Sequence, residues 1–138
     1  KQQINIRWSV PQPGWFALNT DGAAKIGEGK AGCGGVLRDE EGRWIEGFTK
    51  ALGDTNAYIA ELWGIFEGLC LAKRKRVTKL ELRTDSQVIA QNLQLRTNGS
   101  AVGYAFMKKI WSLLDGHWEV KISHACFSGS KQMRRYAC

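Results

Sequence analysis

Proline is nearly missing from this chain: there are two in 138 residues, Pro11 and Pro13. No proline interrupts the chain beyond Gly14, so boundaries must come from glycine, polar turns and changes of period. Cysteine and histidine are scarce as well. Cys33, Cys70, Cys126 and Cys138 form no CxxC pair, and with His117 and His124 they give no zinc spacing. Cys33 and Cys70 sit among apolar residues and read as buried thiols, as in a reducing, intracellular setting (nucleus or cytoplasm). No apolar run approaches the roughly 18 residues of a membrane span, so no membrane partner is expected. There is neither a leader of the secretory kind nor an initiating Met, and the chain reads as an excised or partial segment. Acidic residues are the minority, 13 against 20 Lys and Arg, for a net charge of +7. That balance suits a polyanion, nucleic acid first.

What is present fits one domain with its own core, and a monomer is the default expectation. Residues 1–14 are polar and end in Pro11-Gln12-Pro13-Gly14, an extended lead-in. Trp15 to Gly22 reads as a strand in which Phe16, Leu18 and Thr20 share one face and Trp15, Ala17, Asn19 and Asp21 the other. Gly27 to Lys30 is a turn. Ala31 to Arg38 is a glycine-rich strand, Asp39 to Gly42 a hairpin loop, and Arg43 to Leu52 a third strand. These make an antiparallel meander. From Asn56 to Lys73 the period becomes helical, with Ile59, Leu62, Ile65, Phe66 and Leu69 on one side. Lys73-Arg74-Lys75-Arg76 then reads either as a solvated helix end or as a phosphate-contacting patch. Lys79 to Thr84 alternates, with Leu80 and Leu82 inward. Ser86 to Leu93 is a short helix, Thr97 to Ser100 a turn or cap, and Val102 to Leu113 another helix. Trp118 to Ser123 is the last strand. Hairpins first and returns across helices later predict a mixed sheet with helices packed on it.

Three carboxylates close elements of this pattern: Asp21 at the end of the first strand, Glu61 early in the first helix, Asp85 at the end of the fourth strand. Singly, Asp21 suits a turn, Glu61 the positive end of a helix, and Asp85 a helix cap. Converged, they would repel one another unless a cation held them. An all-oxygen set suits Mg²⁺, with Mn²⁺ as substitute, rather than zinc. An acidic pocket on a basic domain is suited to phosphodiester hydrolysis.

Asn19-Thr20-Asp21-Gly22-Ala23, Ala60-Glu61, Thr84-Asp85-Ser86-Gln87 and Trp118 to His124 resemble, in chain order, the motifs of ribonuclease H domains. The flavour is that of plant retroelement-derived ribonuclease H-like proteins, and the resemblance covers residues 8–124. It implies an α/β domain over 15–124 with a five-stranded mixed sheet. It also implies two Mg²⁺ ions and endonucleolytic cleavage of the RNA strand of an RNA–DNA hybrid. By the same resemblance Asp21, Glu61 and Asp85 are metal ligands and catalytic residues. The Gly22 backbone and the side chains of Asn56, Ser86 and Gln87 would touch the hybrid across its minor groove. His124 joins the catalytic set in a mobile loop that helps product leave; its plainer reading is a surface histidine at a strand end.

The chain departs from that family after His124. A final helix bearing a fourth carboxylate is expected, within an Arg-Glu-Ala-Asn-x-x-Ala-Asp motif, but Arg134 or Arg135 stands where the acid belongs. One legal codon choice for residues 126–138, read one base later, encodes Val-Phe-Arg-Glu-Ala-Asn-Lys-Cys-Ala-Asp-Met-Leu-Ala. Residues 125–138 are therefore read as an aberrant tail produced by a frameshift that removed the last helix. Coding DNA whose codons cannot give that shifted frame excludes this origin. Two functions are consistent with the pattern: a hybrid nuclease weakened by the missing acid, or an inactive remnant that binds nucleic acid. A protein-interaction domain without a nucleic-acid role is the third.

Overall fold

A computed structural model of the chain describes residues 9–25, 27–97, 103–124, 126–127 and 133–134, the last four by backbone alone. β1 (Phe16–Ala23), β2 (Ala31–Arg38) and β3 (Trp44–Gly53) form the antiparallel meander, followed by α1 (Ala57–Arg74). Then come β4 (Lys79–Thr84), α2 (Gln87–Leu95), α3 (Tyr104–Leu114) and β5 (Glu119–His124). The five strands make one sheet in the order β3-β2-β1-β4-β5. β4 is parallel to both β1 and β5, so the carboxyl ends of β1 and β4 lie side by side. In open α/β sheets ligands bind beyond such ends. β6 (Cys126–Phe127) and β7 (Met133–Arg134) pair antiparallel as a separate ribbon. Among the described residues no helix follows β5.

Local chemistry sets the boundaries. Asn56 starts α1 as an N-cap, its Oδ1 accepting from the Ile59 N–H at 2.8 Å. Ser86 starts α2 in the same way, its Oγ accepting from the Ile89 N–H at 3.2 Å. The expected helix starts at Asn56 and Ser86 are thus caps, and the residues after them are the first helical ones. The hairpin at Asp39–Gly42 closes through Gly42 N–H to Asp39 O at 2.9 Å, with Gly42 at φ +83°. Lys73 and Arg74 occupy the last turn of α1, and Lys75 reaches Glu46 at 2.9 Å. The expected turn at 97–100 and the helix start at Val102 fall mainly outside the described residues.

The sheet face under α1 is apolar. Leu37, Leu18, Leu82 and Ile122 are register partners across four strands, and Leu37, Leu18 and Leu82 are fully buried. Leu62, Ile65 and Leu69 of α1 complete this core with Ile89, Leu93, Met107 and Ile110. Burying each such side chain contributes about 1.5–3 kcal/mol. Three glycines let α1 come close. A Cβ at Gly22 would stand 2.5 Å from the backbone of Ala60 and Glu61, one at Gly64 3.0 Å from Asp21 O, and one at Gly68 2.8 Å from Leu18.

β4 departs from the alternation expected of it. Besides Leu80 and Leu82, it buries Glu81, Arg83 and Thr84. Alternation predicts a half-exposed strand, but β4 lies between β1 and β5 and is covered on both faces. The Glu81 carboxylate is partnered internally: Arg83 Nη2 donates to its Oε1 at 2.9 Å and Ser123 Oγ to its Oε2 at 2.5 Å, while Arg83 Nε is buried without a partner among the described residues. Cys33 is a buried free thiol as expected, whereas Cys70 is only half-buried. Arg83→Met is expected to cost about 3–5 kcal/mol by stranding a buried carboxylate, and Glu81→Leu with Arg83→Met to recover most of that. Urea unfolding of the three proteins checks it.

Candidate metal centre

Asp21 is the sixth residue of β1, and the backbone N–H of Gly22 donates to its Oδ1 at 2.9 Å. Glu61 sits on the second turn of α1, where the close approach at Gly22 carries the helix over the end of β1. Asp85 follows β4 directly, between strand and cap. One carboxylate oxygen from each of the three lies within 4.8 Å of the others. Asp21 is exposed, while Glu61 and Asp85 are half-buried. Residues separated by up to 64 positions thus share one mouth at the end of the parallel pair. Asp85 is not the cap of α2; Ser86 takes that place.

The electrostatics of the cluster are those of uncompensated negative charge. Burial, and then the nearby Asp85 and Asp21, push the Glu61 carboxyl up to about 7, against a weaker pull from a Ser86 hydrogen bond. Burial and Asp21 also raise Asp85, while a hydrogen bond to its own backbone and the neighbouring His124 act the other way. Among the described residues no lysine or arginine forms an ion pair with any of the three. Three hard oxygen donors in repulsive proximity, with no paired cation among the described residues, fit a divalent Mg²⁺ or Mn²⁺ ion. Asp21, Glu61 and Asp85 are the residues that would hold it.

The other expected site residues surround this mouth in part. Gly22 follows Asp21, and Ser86 and the exposed Gln87 follow Asp85. Asn56 is exposed, with its carbonyl oxygen committed to the α1 cap. His124 is the last residue of β5 and the register partner of Thr84, so it sits in the sheet rather than in a loop. Its Nδ1 is buried without a partner among the described residues. Arg134 is in β7, and Arg135 falls outside the described residues. Sequence reasoning misses Gly64 and Asn19. Gly64 is a mid-helix glycine, a costly residue whose presence signals close packing. Asn19 lies two positions before Asp21 on the same face, and its Oδ1 is buried without a partner among the described residues.

Residues 19–132 match the model of the reverse transcriptase-like family. The chain belongs to that family. It is 40% identical over 119 residues to an Arabidopsis thaliana protein named "Putative ribonuclease H protein". That match takes in 86% of the chain but 19% of the relative, so the chain spans about a fifth of its length. Among solved structures it is similar to LC11-RNase H1 in complex with an RNA/DNA hybrid, at TM-score 0.71 and 22% identity, over 80% of this chain and 85% of that one. RNase H1 of the archaeon Halobacterium salinarum gives TM-score 0.69 at 21% identity, over 81% and 86% of the two chains. The N-terminal RNase H domain of Rv2228c from Mycobacterium tuberculosis gives 0.68 at 18%, over 84% of each. The five-stranded mixed sheet of this family member is therefore the ribonuclease H fold.

The raised Glu61 carboxyl sets a pH dependence. The folded protein holds a proton between about pH 4.5 and 7 that the unfolded chain releases. Stability without metal is full below the unfolded value and falls as pH rises through that window. We expect a loss on the order of 1–2 kcal/mol after solvent screening, smaller in Glu61→Gln, where only the raised Asp85 still contributes. Thermal unfolding at a series of pH values checks it, and Mn²⁺ should remove the decline by displacing the proton.

Proposed function

We propose that this domain hydrolyses the RNA strand of RNA–DNA hybrids in a metal-dependent, endonucleolytic reaction, at a reduced rate. The convergence of Asp21, Glu61 and Asp85 to within 4.8 Å carries the reading. Membership of a family whose relatives bear ribonuclease H names supports it. Bound at the three acids, divalent ions would stabilise the attacking and leaving oxygens of the phosphodiester. The chain's own residues bind and orient. By the family resemblance the Gly22 backbone, the amide of Asn56, the Ser86 hydroxyl and the Gln87 side chain would meet 2′-hydroxyls across the minor groove of the hybrid. The net charge of +7 draws the two phosphate backbones toward the domain. His124, held at the end of β5 beside Asp85, would bear on the departure of product.

One observation favours slow turnover over full activity, and an inactive binding remnant as the second reading. The stretch where a fourth acid is expected reads Gln132-Met133-Arg134-Arg135. A cation there opposes metal binding instead of adding a ligand. We expect weak cleavage of a labelled hybrid in Mg²⁺, faster cleavage in Mn²⁺, and at least about a hundredfold loss in Asp21→Asn. Turnover equal to that of a four-carboxylate relative contradicts the reduced rate. Salt-sensitive hybrid binding with no cleavage in either metal assigns the chain to the remnant.

A further inference from the structure

Where α1 meets α3, Trp63 and Phe66 contact Phe106. The ring centroids are 4.9–6.0 Å apart and every pair is edge-on: Trp63 to Phe66 at 88°, Trp63 to Phe106 at 68°, Phe66 to Phe106 at 65°. Edge-on contact is a favoured packing of aromatic rings, and beside these three lies a cavity of about 280 Å³ walled by Trp63, Phe66, Ala105, Phe106 and Lys109. That volume is the size of a nucleobase with its sugar.

Lys109 is the cation among the cavity walls, and Lys50 and Lys108 stand over neighbouring aromatic rings. Lys50 sits 4.8 Å over the Trp63 ring, although its charge is shared with Glu67 at 3.0 Å. Lys108 and Lys109 are exposed, and among the described residues neither forms an ion pair. Lys108 stands 5.3 Å over the Tyr104 ring, which is itself 46% exposed and packs edge-on to Trp111. Aromatic faces interleaved with free cations are what a single nucleic-acid strand uses: bases stack on the rings and phosphates meet the ammonium groups. A second copy of this chain would bring like charge to the rim, and a cationic ligand would be repelled by it.

We infer that the Trp63–Phe66–Phe106 cavity and the adjoining face of α3 form a second nucleic-acid contact, which takes a base of a single strand. It is separate from the acid mouth and independent of the hydrolytic reading. The test is fluorescence anisotropy of a labelled oligodeoxythymidine with the full chain at low salt, without metal. Trp63→Ala is expected to weaken binding by about five- to tenfold or more. Lys109→Glu is expected to weaken it and to lower the slope of log affinity against log salt by about 0.7 or more, the share of one phosphate contact on a single strand. Should Trp63→Ala lower the melting temperature, the solvent-facing Lys109→Glu carries the test. Wild-type affinity and salt slope in Lys109→Glu overturn the inference. So does a site that takes polyglutamate but no oligodeoxythymidine, because its occupant would then be an acidic polypeptide. Loss of hybrid cleavage with oligonucleotide binding intact would end the nuclease reading and leave this one standing.

Discussion

Mutual repulsion among three carboxylates is the constraint around which this domain is arranged. Asp21, Glu61 and Asp85 place oxygens within 4.8 Å of one another, and no neighbouring ammonium or guanidinium group pairs with them among the described residues. Burial first, and this repulsion after it, raise the Glu61 and Asp85 carboxyls. A steric device keeps the acids together. α1 lies against β1 so closely that Gly22, Gly64 and Gly68 have no room for a side chain without movement. With Glu61 on that helix and Asp21 on that strand, the apolar contacts of Leu18, Leu62, Ile65 and Leu69 hold the charges in place. Core burial therefore offsets electrostatic strain at the mouth.

The sheet contributes differently on its two faces. Under α1 it carries the row Leu37, Leu18, Leu82 and Ile122. On the other face, Glu81, Arg83 and Ser123 form a buried hydrogen-bonded set two residues behind Asp85. That set ties β4 to β5, and a one-residue slip of register would bring leucines to its face. Asn19 and Arg83 are register partners, and each leads by two positions to one of the acids on the parallel pair. The carboxylates thus rest on a polar layer within the sheet itself.

Much of this is legible in the sequence, for identifiable reasons. The alternation of residues 15–22, the turn residues at 39–42 and the change to helical period after Asn56 are local signals, and local signals set strand and helix identity. Ala31–Arg38 and Lys79–Thr84 are strands over those same residues. The three acids are legible because each stands at the end of an element, and the parallel pairing of β1 with β4 brings those ends together. The buried Glu81–Arg83 pair is not, because alternation says which residues share a face but not whether both faces are covered. That Asn56 and Ser86 cap helices is visible only in the structure, because a cap and a ligand-binding side chain use the same residue types. The family resemblance puts His124 in a loop, whereas the plainer reading of the residues, a histidine at a strand end, is where β5 places it. The aromatic cavity is invisible there because Trp63 and Phe106 are distant in sequence and meet only when α3 packs on α1.

Diffraction from a crystal soaked in Mn²⁺ tests the central claim most directly, since the anomalous signal locates the ion without reference to activity. The account predicts manganese in the mouth at the ends of β1 and β4, bound by oxygens of Asp21, Glu61 and Asp85 at about 2.0–2.3 Å. Manganese bound elsewhere, or a mouth in which any of the three carboxylates turns away from the ion, would contradict it.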